Sequence, residues 1–334
     1  MTAKRWIAVA VAAILIFVSI GVNSMSWFFT RDWNLMLNEI TAMNQELQET
    51  VVEEGSTNER IAVLKVDGVI QDTGVASVFS GAQYNHQRFM AQLEELKNDE
   101  TVKGIVLSVN SPGGGVLESA DIYDAIIEIQ ETKEIPMYVA MGGMAASGGY
   151  YISAPAEKIF VHPETLTGSI GVIMQSINFG KLAEKYGVDF PTIKSGPYKD
   201  IMSSTREMKP EERAMLQEMI DDSYKRFVDI IVDGRHMSEA DVRKVADGRV
   251  MNGRQAIEAG LADDYGKTPS VIAAMKEDYH LEKAEVFEYG APESFASLLS
   301  LKVHNAFGGD IESQIMKKLL TENQAPRMMY LYGE

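Results

Sequence analysis

The rhythm of hydrophobic and polar positions changes several times along the chain. From Trp6 to Phe29 there is no charged residue, and Ile7 to Val22 is almost wholly aliphatic. At about 1.5 Å per residue, roughly 20 such positions cross a ~30 Å hydrocarbon core, so residues 6–29 predict one membrane-spanning anchor. Lys4 and Arg5 precede the span and Asp32 follows it, while Trp6, Trp27 and Phe28 stand near its ends as an aromatic belt would. The positive-inside rule then makes residues 1–5 cytoplasmic and places everything after the span outside the cell membrane. A cleaved secretory signal is the alternative, but no good small-x-small cleavage site precedes Met25. Residues 30–59 are polar and acidic and include Gly55-Ser56-Thr57-Asn58, which reads as a stalk or a marginal amphipathic helix.

From Ile61 the pattern alternates between short apolar runs and helical periodicity. Ile61–Val66, Gly104–Val109, Met137–Met141, Lys158–Val161, Ile170–Ile173 and Phe190–Ile193 read as strands. Gln87–Lys97, Leu117–Gln130, Phe179–Tyr186 and Pro210–Val232 read as helices, the first with an apolar stripe of Phe89, Leu93 and Leu96. Such alternation predicts an α/β fold with a mainly parallel sheet over residues 60–295. Residues 296–334 form a less periodic extension that ends in the apolar run Met328-Met329-Tyr330-Leu331-Tyr332.

The composition, 46% hydrophobic and 24% charged over 334 residues, is that of a globular protein able to bury a sizeable core. A net charge of −17 argues against nucleic acid as a partner, which would require a basic footprint. There is no cysteine, which excludes thiol catalysis, disulfides and thiolate zinc sites.

Ligands in open α/β sheets bind beyond the carboxyl ends of strands. Two strand ends here are rich in glycine and serine. At Asn110-Ser111-Pro112-Gly113-Gly114-Gly115 the glycines free the backbone N–H groups at the start of a helix, an arrangement suited to an oxyanion or to an ordinary tight turn. At Met144-Ala145-Ala146-Ser147-Gly148-Gly149-Tyr150 a serine between small residues links strand to helix. It is similar to a nucleophile elbow, although Ala145 stands where the first glycine of G-x-S-x-G would be.

A serine hydroxyl needs a base. None of His86, His162, His236, His280 and His304 sits in a triad-like motif, and His162 beside Pro163 reads as structural. A lysine serves if it is neutral, which means lowering its pKa from about 10.4 by roughly three units, or about 4 kcal/mol of destabilised charge. Lys199, in the turn-rich Lys194-Ser195-Gly196-Pro197-Tyr198-Lys199-Asp200, is a candidate, though a lone lysine is also an ordinary solvated surface charge.

Taken together, these strings resemble the bacterial signal peptide peptidase A family, of short Gram-positive type, with a ClpP/crotonase-like fold and a Ser–Lys dyad. The matching strings are Val109–Gly115, Met144–Tyr151, Leu166–Val172, Ile193–Asp200, Asp247–Val250, Gly253–Ala256 and Gly260-Leu261, covering about residues 60 to 265. The resemblance implies that Ser147 is the nucleophile and Lys199 the base. It further implies that Gly114, helped by Gly115 or Gly148, lends N–H groups to the oxyanion and that Ser169 aims the lysine. The implied activity is endopeptidase cleavage of remnant signal peptides and other short or unfolded peptides at the membrane, with no metal or organic cofactor. The implied assembly is a homo-oligomer of about 7–8 subunits, with sites shared between neighbours in some members. The apolar C-terminal run would then be able to lie as a strand in a neighbour's substrate groove.

Two rivals share the fold, a crotonase-type acyl-CoA enzyme and a non-catalytic membrane scaffold. A nucleotide site at Gly266-Lys267-Thr268 is set aside, because Gly260 is one residue too far upstream and Asp263 and Asp264 would repel phosphate.

Overall fold

The computed structural model describes residues 47–72, 84–290 and 328–332. The expected anchor, most of the stalk and most of the C-terminal extension lie outside the described residues. Among the described residues no helix is long and apolar enough to cross a membrane.

The body is built on a sheet with the spatial order β1-β10-β2-β3-β5-β6-β9. In sequence the strands are β1 (Gln48–Glu53), β2 (Ser56–Asp67), β3 (Val102–Ser111), β5 (Met137–Ala146), β6 (Lys158–Val161), β9 (Asp264–Tyr265) and β10 (Ala284–Gly290). All pairings along this path are parallel except β1 with β10. Strand β7 (Leu166–Gly168) continues beside the end of β5 and pairs on its other side with β8 (Val250–Asn252). A second, two-stranded ladder joins β4 (Gly113–Gly115) to β11 (Met329–Leu331).

Helices α1 (His86–Asn98) and α2 (Val116–Lys133) form the crossovers β2–α1–β3 and β3–α2–β5 that parallel neighbours require. The side chain of Asn85 accepts the Arg88 N–H at 2.8 Å and starts α1. Further helices are α3 (Gly148–Tyr151), α4 (Gly180–Lys185), α5 (Pro210–Arg235), α6 (Glu239–Val245), α7 (Gly253–Glu258) and α8 (Thr268–Asp278).

The central strands are near-continuous apolar runs because both faces of the sheet are covered. Ala62, Leu64 and Val66 of β2 pack with Leu93 and Leu96 of α1, Ile122 and Ile126 of α2, and Phe227 and Ile231 of α5. The alternate residues Ile61 and Val63 pack on the opposite face with Val271, Ile272 and Met275 of α8. This period of two divides one strand between two helical layers.

The structure departs from the sequence pattern in three places. The sheet begins at Gln48, inside the stretch read as a stalk, because β1 is an edge strand with all six residues exposed and therefore no hydrophobic period. Ile170–Ile173 contributes one β-bridge, at Ile173, and Phe190–Ile193 is not a strand. In the first stretch Ile170 is buried in the core while Ile173 is exposed, and in the second Phe190 and Ile193 face outward.

Candidate active site

Ser147 lies where β5 gives way to α3, with φ 54° and ψ −115°. A non-glycine residue in that conformation costs about 1–3 kcal/mol and persists only where its surroundings impose it. Here the Ser147 N–H donates to Gly168 O at 2.8 Å, and Ser147 O accepts the Tyr151 N–H at 2.9 Å. Ala145 and Ala146 before it and Gly148 and Gly149 after it are all buried, so small residues are what the packing admits. The geometry is that of a nucleophile elbow despite the missing first glycine.

The glycine loop runs beside this elbow. Ile70 donates its N–H to Gly113 O at 2.9 Å, and Gly115 donates its N–H to Ile70 O at 2.8 Å. A Cβ on Gly114 would overlap Ile70 O, which is why this strand needs glycine. The hydrogen bond to Ile70 engages the Gly115 N–H, which is thus not available to an oxyanion. Gly148 remains a candidate: a Cβ built on Gly113 would stand 2.6 Å from Gly148 N, so the two backbones converge.

The C-terminal run lies against this loop in its own chain. Met329, Tyr330 and Leu331 pair antiparallel with Gly115, Gly114 and Gly113. Tyr332 N–H donates to Pro112 O at 2.9 Å and Val116 N–H to Met328 O at 3.4 Å. Hydrogen-bonded pairs alternate in an antiparallel ladder, so Tyr330 and Gly114 form the bonded pair between those two. The Tyr330 carbonyl therefore faces the Gly114 N–H. On the tail's other side Met329 and Ile173 exchange both backbone bonds, at 3.0 and 3.1 Å. The tail is a strand held between the glycine loop and the Ile173 segment, as an extended peptide would be.

Tyr330 anchors it. Its ring is fully buried, with centroids 4.8 Å from both Tyr151 and Phe227, and its hydroxyl donates to Ser223 O at 2.9 Å. Burial pushes the Tyr330 and Tyr151 phenols up, so both stay neutral. None of Ile70, Phe227 or Ser223 lies in a motif, and only the apolar character of residues 328–332 marked the tail in the sequence.

Ser169 follows β7 with φ 49°, almost buried, its N–H donating to Arg249 O at 2.7 Å. Lys199 lies on the long segment between Ile173 and α5 and is exposed. Its backbone N–H donates to Gly196 O at 3.3 Å, and its ammonium makes no hydrogen bond or ion pair among the described residues. One chain therefore brings Ser147, Gly114 and Gly148 together but does not bond Lys199 to Ser147 or to Ser169. The histidines offer no substitute in the described site. The His86 Nδ1 pairs with the Tyr84 hydroxyl at 2.7 Å, and His162 Nδ1 accepts the Glu164 N–H at 3.2 Å.

Residues 129–282 match the model of peptidase family S49, and residues 69–167 match that of Clp protease. The chain is 41% identical over 344 residues to the Enterococcus faecium protein named for signal peptide peptidase SppA, covering 100% of this chain and 99% of that one. It is 35% identical to Protease 4 of Salmonella typhi over 66% of this chain and 35% of the relative. It is 30% identical to the chloroplastic serine protease SPPA of Arabidopsis thaliana over 79% of this chain and 39% of the relative. The acyl-CoA and scaffold readings are thereby set aside. The chain belongs to peptidase family S49, as a serine peptidase of the signal peptide peptidase A type.

Proposed function

We propose that this protein is a membrane-anchored endopeptidase that uses Ser147 as nucleophile and Lys199 as general base to hydrolyse remnant signal peptides and other short or unfolded peptides. The observation that carries the reading is the tail. A peptide strand lies antiparallel on Gly113–Gly115, with a carbonyl directed at the Gly114 N–H beside a strained, buried serine. This is the placement an acyl-transfer site needs for a scissile carbonyl.

In the proposed mechanism neutral Lys199 removes the Ser147 proton as Oγ attacks the carbonyl carbon. The N–H groups of Gly114 and Gly148 stabilise the oxyanion, and the ammonium then protonates the leaving amine. Water activated by the same amine clears the acyl-enzyme. Ser169 is the group assigned to aim the lysine. Gly115, with its N–H held by Ile70, is not part of this oxyanion site.

Lys199 reaches Ser147 from a second copy in this reading. Support comes from its exposure and from the outward-facing Ile177, Leu182, Tyr186, Phe190 and Ile193 on the segment that bears it. Apolar side chains grouped in this way are suited to contact with a neighbour in a ring of about 7–8 subunits. The N-terminal run 6–29 supplies the anchor, with the body on the extracytoplasmic side.

Mixing inactive full-length Ser147→Ala and Lys199→Ala chains, dissociated and reassembled together, tests the arrangement. A shared site predicts recovery of about a quarter of wild-type sites in a random ring. No recovery from co-assembled chains would place both groups in one subunit, and an active Lys199→Ala chain would remove the lysine base altogether.

A further inference from the structure

Lys199 is followed directly by a carboxylate, Asp200, which would be expected to capture its ammonium. It does not, because two other cations occupy it. Lys194 Nζ donates to Asp200 Oδ1 at 2.6 Å and to Pro197 O at 3.1 Å, closing the turn ahead of Lys199. Behind it, Arg206 donates from Nε to Asp200 Oδ2 at 2.8 Å and from Nη2 to Oδ1 at 2.7 Å and to the Asp200 carbonyl at 2.9 Å.

The far side of the same guanidinium is also engaged. Arg206 donates to both oxygens of Glu212, at 2.6 and 2.8 Å, and to Glu207 O at 3.0 Å. Glu212 is fully buried in the first turn of α5 and accepts the Lys209 N–H at 2.9 Å. Of the other carboxylates near this helix start, Glu207 pairs with Lys181 at 2.6 Å and Glu211 is exposed. The loop after Lys199 is fixed on its other flank by Phe179 N–H, which donates to Ser204 O at 2.8 Å. The charged groups on the turn and on the segments packed around it include Lys181, Lys194, Asp200, Arg206, Glu207, Lys209, Glu211 and Glu212. In this arrangement Asp200, Glu207 and Glu212 each have a cationic partner other than Lys199. The planar five-donor fork of arginine is suited to bridging two carboxylates and two carbonyls in this way.

We infer that Arg206 and Lys194 are positioning residues for the peptidase reaction, acting by saturating the Asp200 carboxylate so that it does not pair with Lys199. The inference rests on the reading of Lys199 as general base. A carboxylate within ~4–6 Å favours an ammonium by about 1–3 pKa units, and a base held as ammonium is inactive near neutrality. With Asp200 held by Lys194 and Arg206, the Lys199 ammonium has no hydrogen-bond or ion-pair partner among the described residues.

The test is kcat/KM for peptide hydrolysis against pH, using the full-length chain in detergent and its Arg206→Ala, Arg206→Ala/Asp200→Asn and Lys199→Ala variants. Arg206→Ala is expected to move the midpoint of the alkaline rise up by about one pH unit, an about tenfold loss at neutral pH carried by kcat rather than KM. Adding Asp200→Asn should return the midpoint to its wild-type position, which a merely structural role would not do. Lys194→Met leaves the Arg206–Glu212 bridge in place. It should give a smaller shift of the same sign, also reversed by Asp200→Asn, and it serves if Arg206→Ala does not fold. An unmoved midpoint in both, or a double variant no better than Arg206→Ala, overturns the inference while leaving the dyad intact. An active Lys199→Ala chain overturns both.

Discussion

Replacing Tyr330 by alanine is expected to release the tail from the glycine loop and raise peptidase activity. The tyrosine is fully buried, packed at 4.8 Å against Tyr151 and Phe227, and its hydroxyl is bonded to Ser223 O. Truncating a buried aromatic to alanine costs about 3–5 kcal/mol, and the lost hydrogen bond adds about 1 kcal/mol. The backbone bonds to Pro112 and Ile173 remain, so the side chain supplies most of what distinguishes this tail from any other extended peptide. Even the lower figure weakens docking more than a hundredfold. Two assays on the full-length chain read the change. Hydrolysis of a fluorogenic peptide should begin faster in Tyr330→Ala, and trypsin should cut after Arg327 sooner. If both initial rate and tryptic cleavage match wild type, the tail does not compete for the groove and the argument from its register is wrong.

Three further outcomes follow from the same geometry. Gly114→Ala, whose Cβ would overlap Ile70 O, should lower kcat by about 10²–10³ through the displaced N–H and destabilise the fold by about 1–3 kcal/mol; near-normal activity would exclude Gly114 as an oxyanion donor. Ser147→Gly and Ser147→Ala should both be inactive, yet the glycine variant should be more stable by about 1 kcal/mol in denaturant unfolding, because φ 54° is strained only with a Cβ; equal stabilities would mean that the elbow stores no strain. Arg206, followed by the Lys209 N–H, holds the Glu212 carboxyl down at about 2 from its usual 4.5. This contribution is complete above the usual value and is lost as pH falls through the lowered one. Limited pepsin digestion should therefore leave residues 174–209 intact near the upper end of that interval and cut them near its lower end. Cutting that shows no dependence on pH would contradict the assignment.

The parallel core was legible because Ile61–Val66, Gly104–Val109 and Met137–Met141 are largely buried on both faces and so are almost continuously apolar, broken only at Lys65 and Ser108. The long helices were legible from periodicity, with ends a few residues further out than the apolar stripe. Strand β1 was not, since an edge strand with every side chain exposed carries no period. The reverse error arose at Phe190–Ile193, where apolar residues face outward and pair with nothing in the sheet. Ser147 and the glycine loop stood out because a sharp strand-to-helix turn and a close backbone approach both demand small residues, which are visible in any sequence. The engaged Gly115 N–H was invisible, since its partner is a backbone carbonyl 45 residues away at Ile70. The Asp200–Arg206–Glu212 network was equally hidden, because charges spaced by six along a turn-rich segment have no periodic signature.

The central claim is that Ser147 carries the acyl group, and the most direct measurement is intact-mass analysis of the full-length chain quenched during turnover of an activated peptide ester. The account predicts a mass increase equal to the acyl portion, mapped by digestion to the peptide containing Ser147 and absent from Ser147→Ala. An adduct on another residue, or hydrolysis that persists in Ser147→Ala, would contradict it.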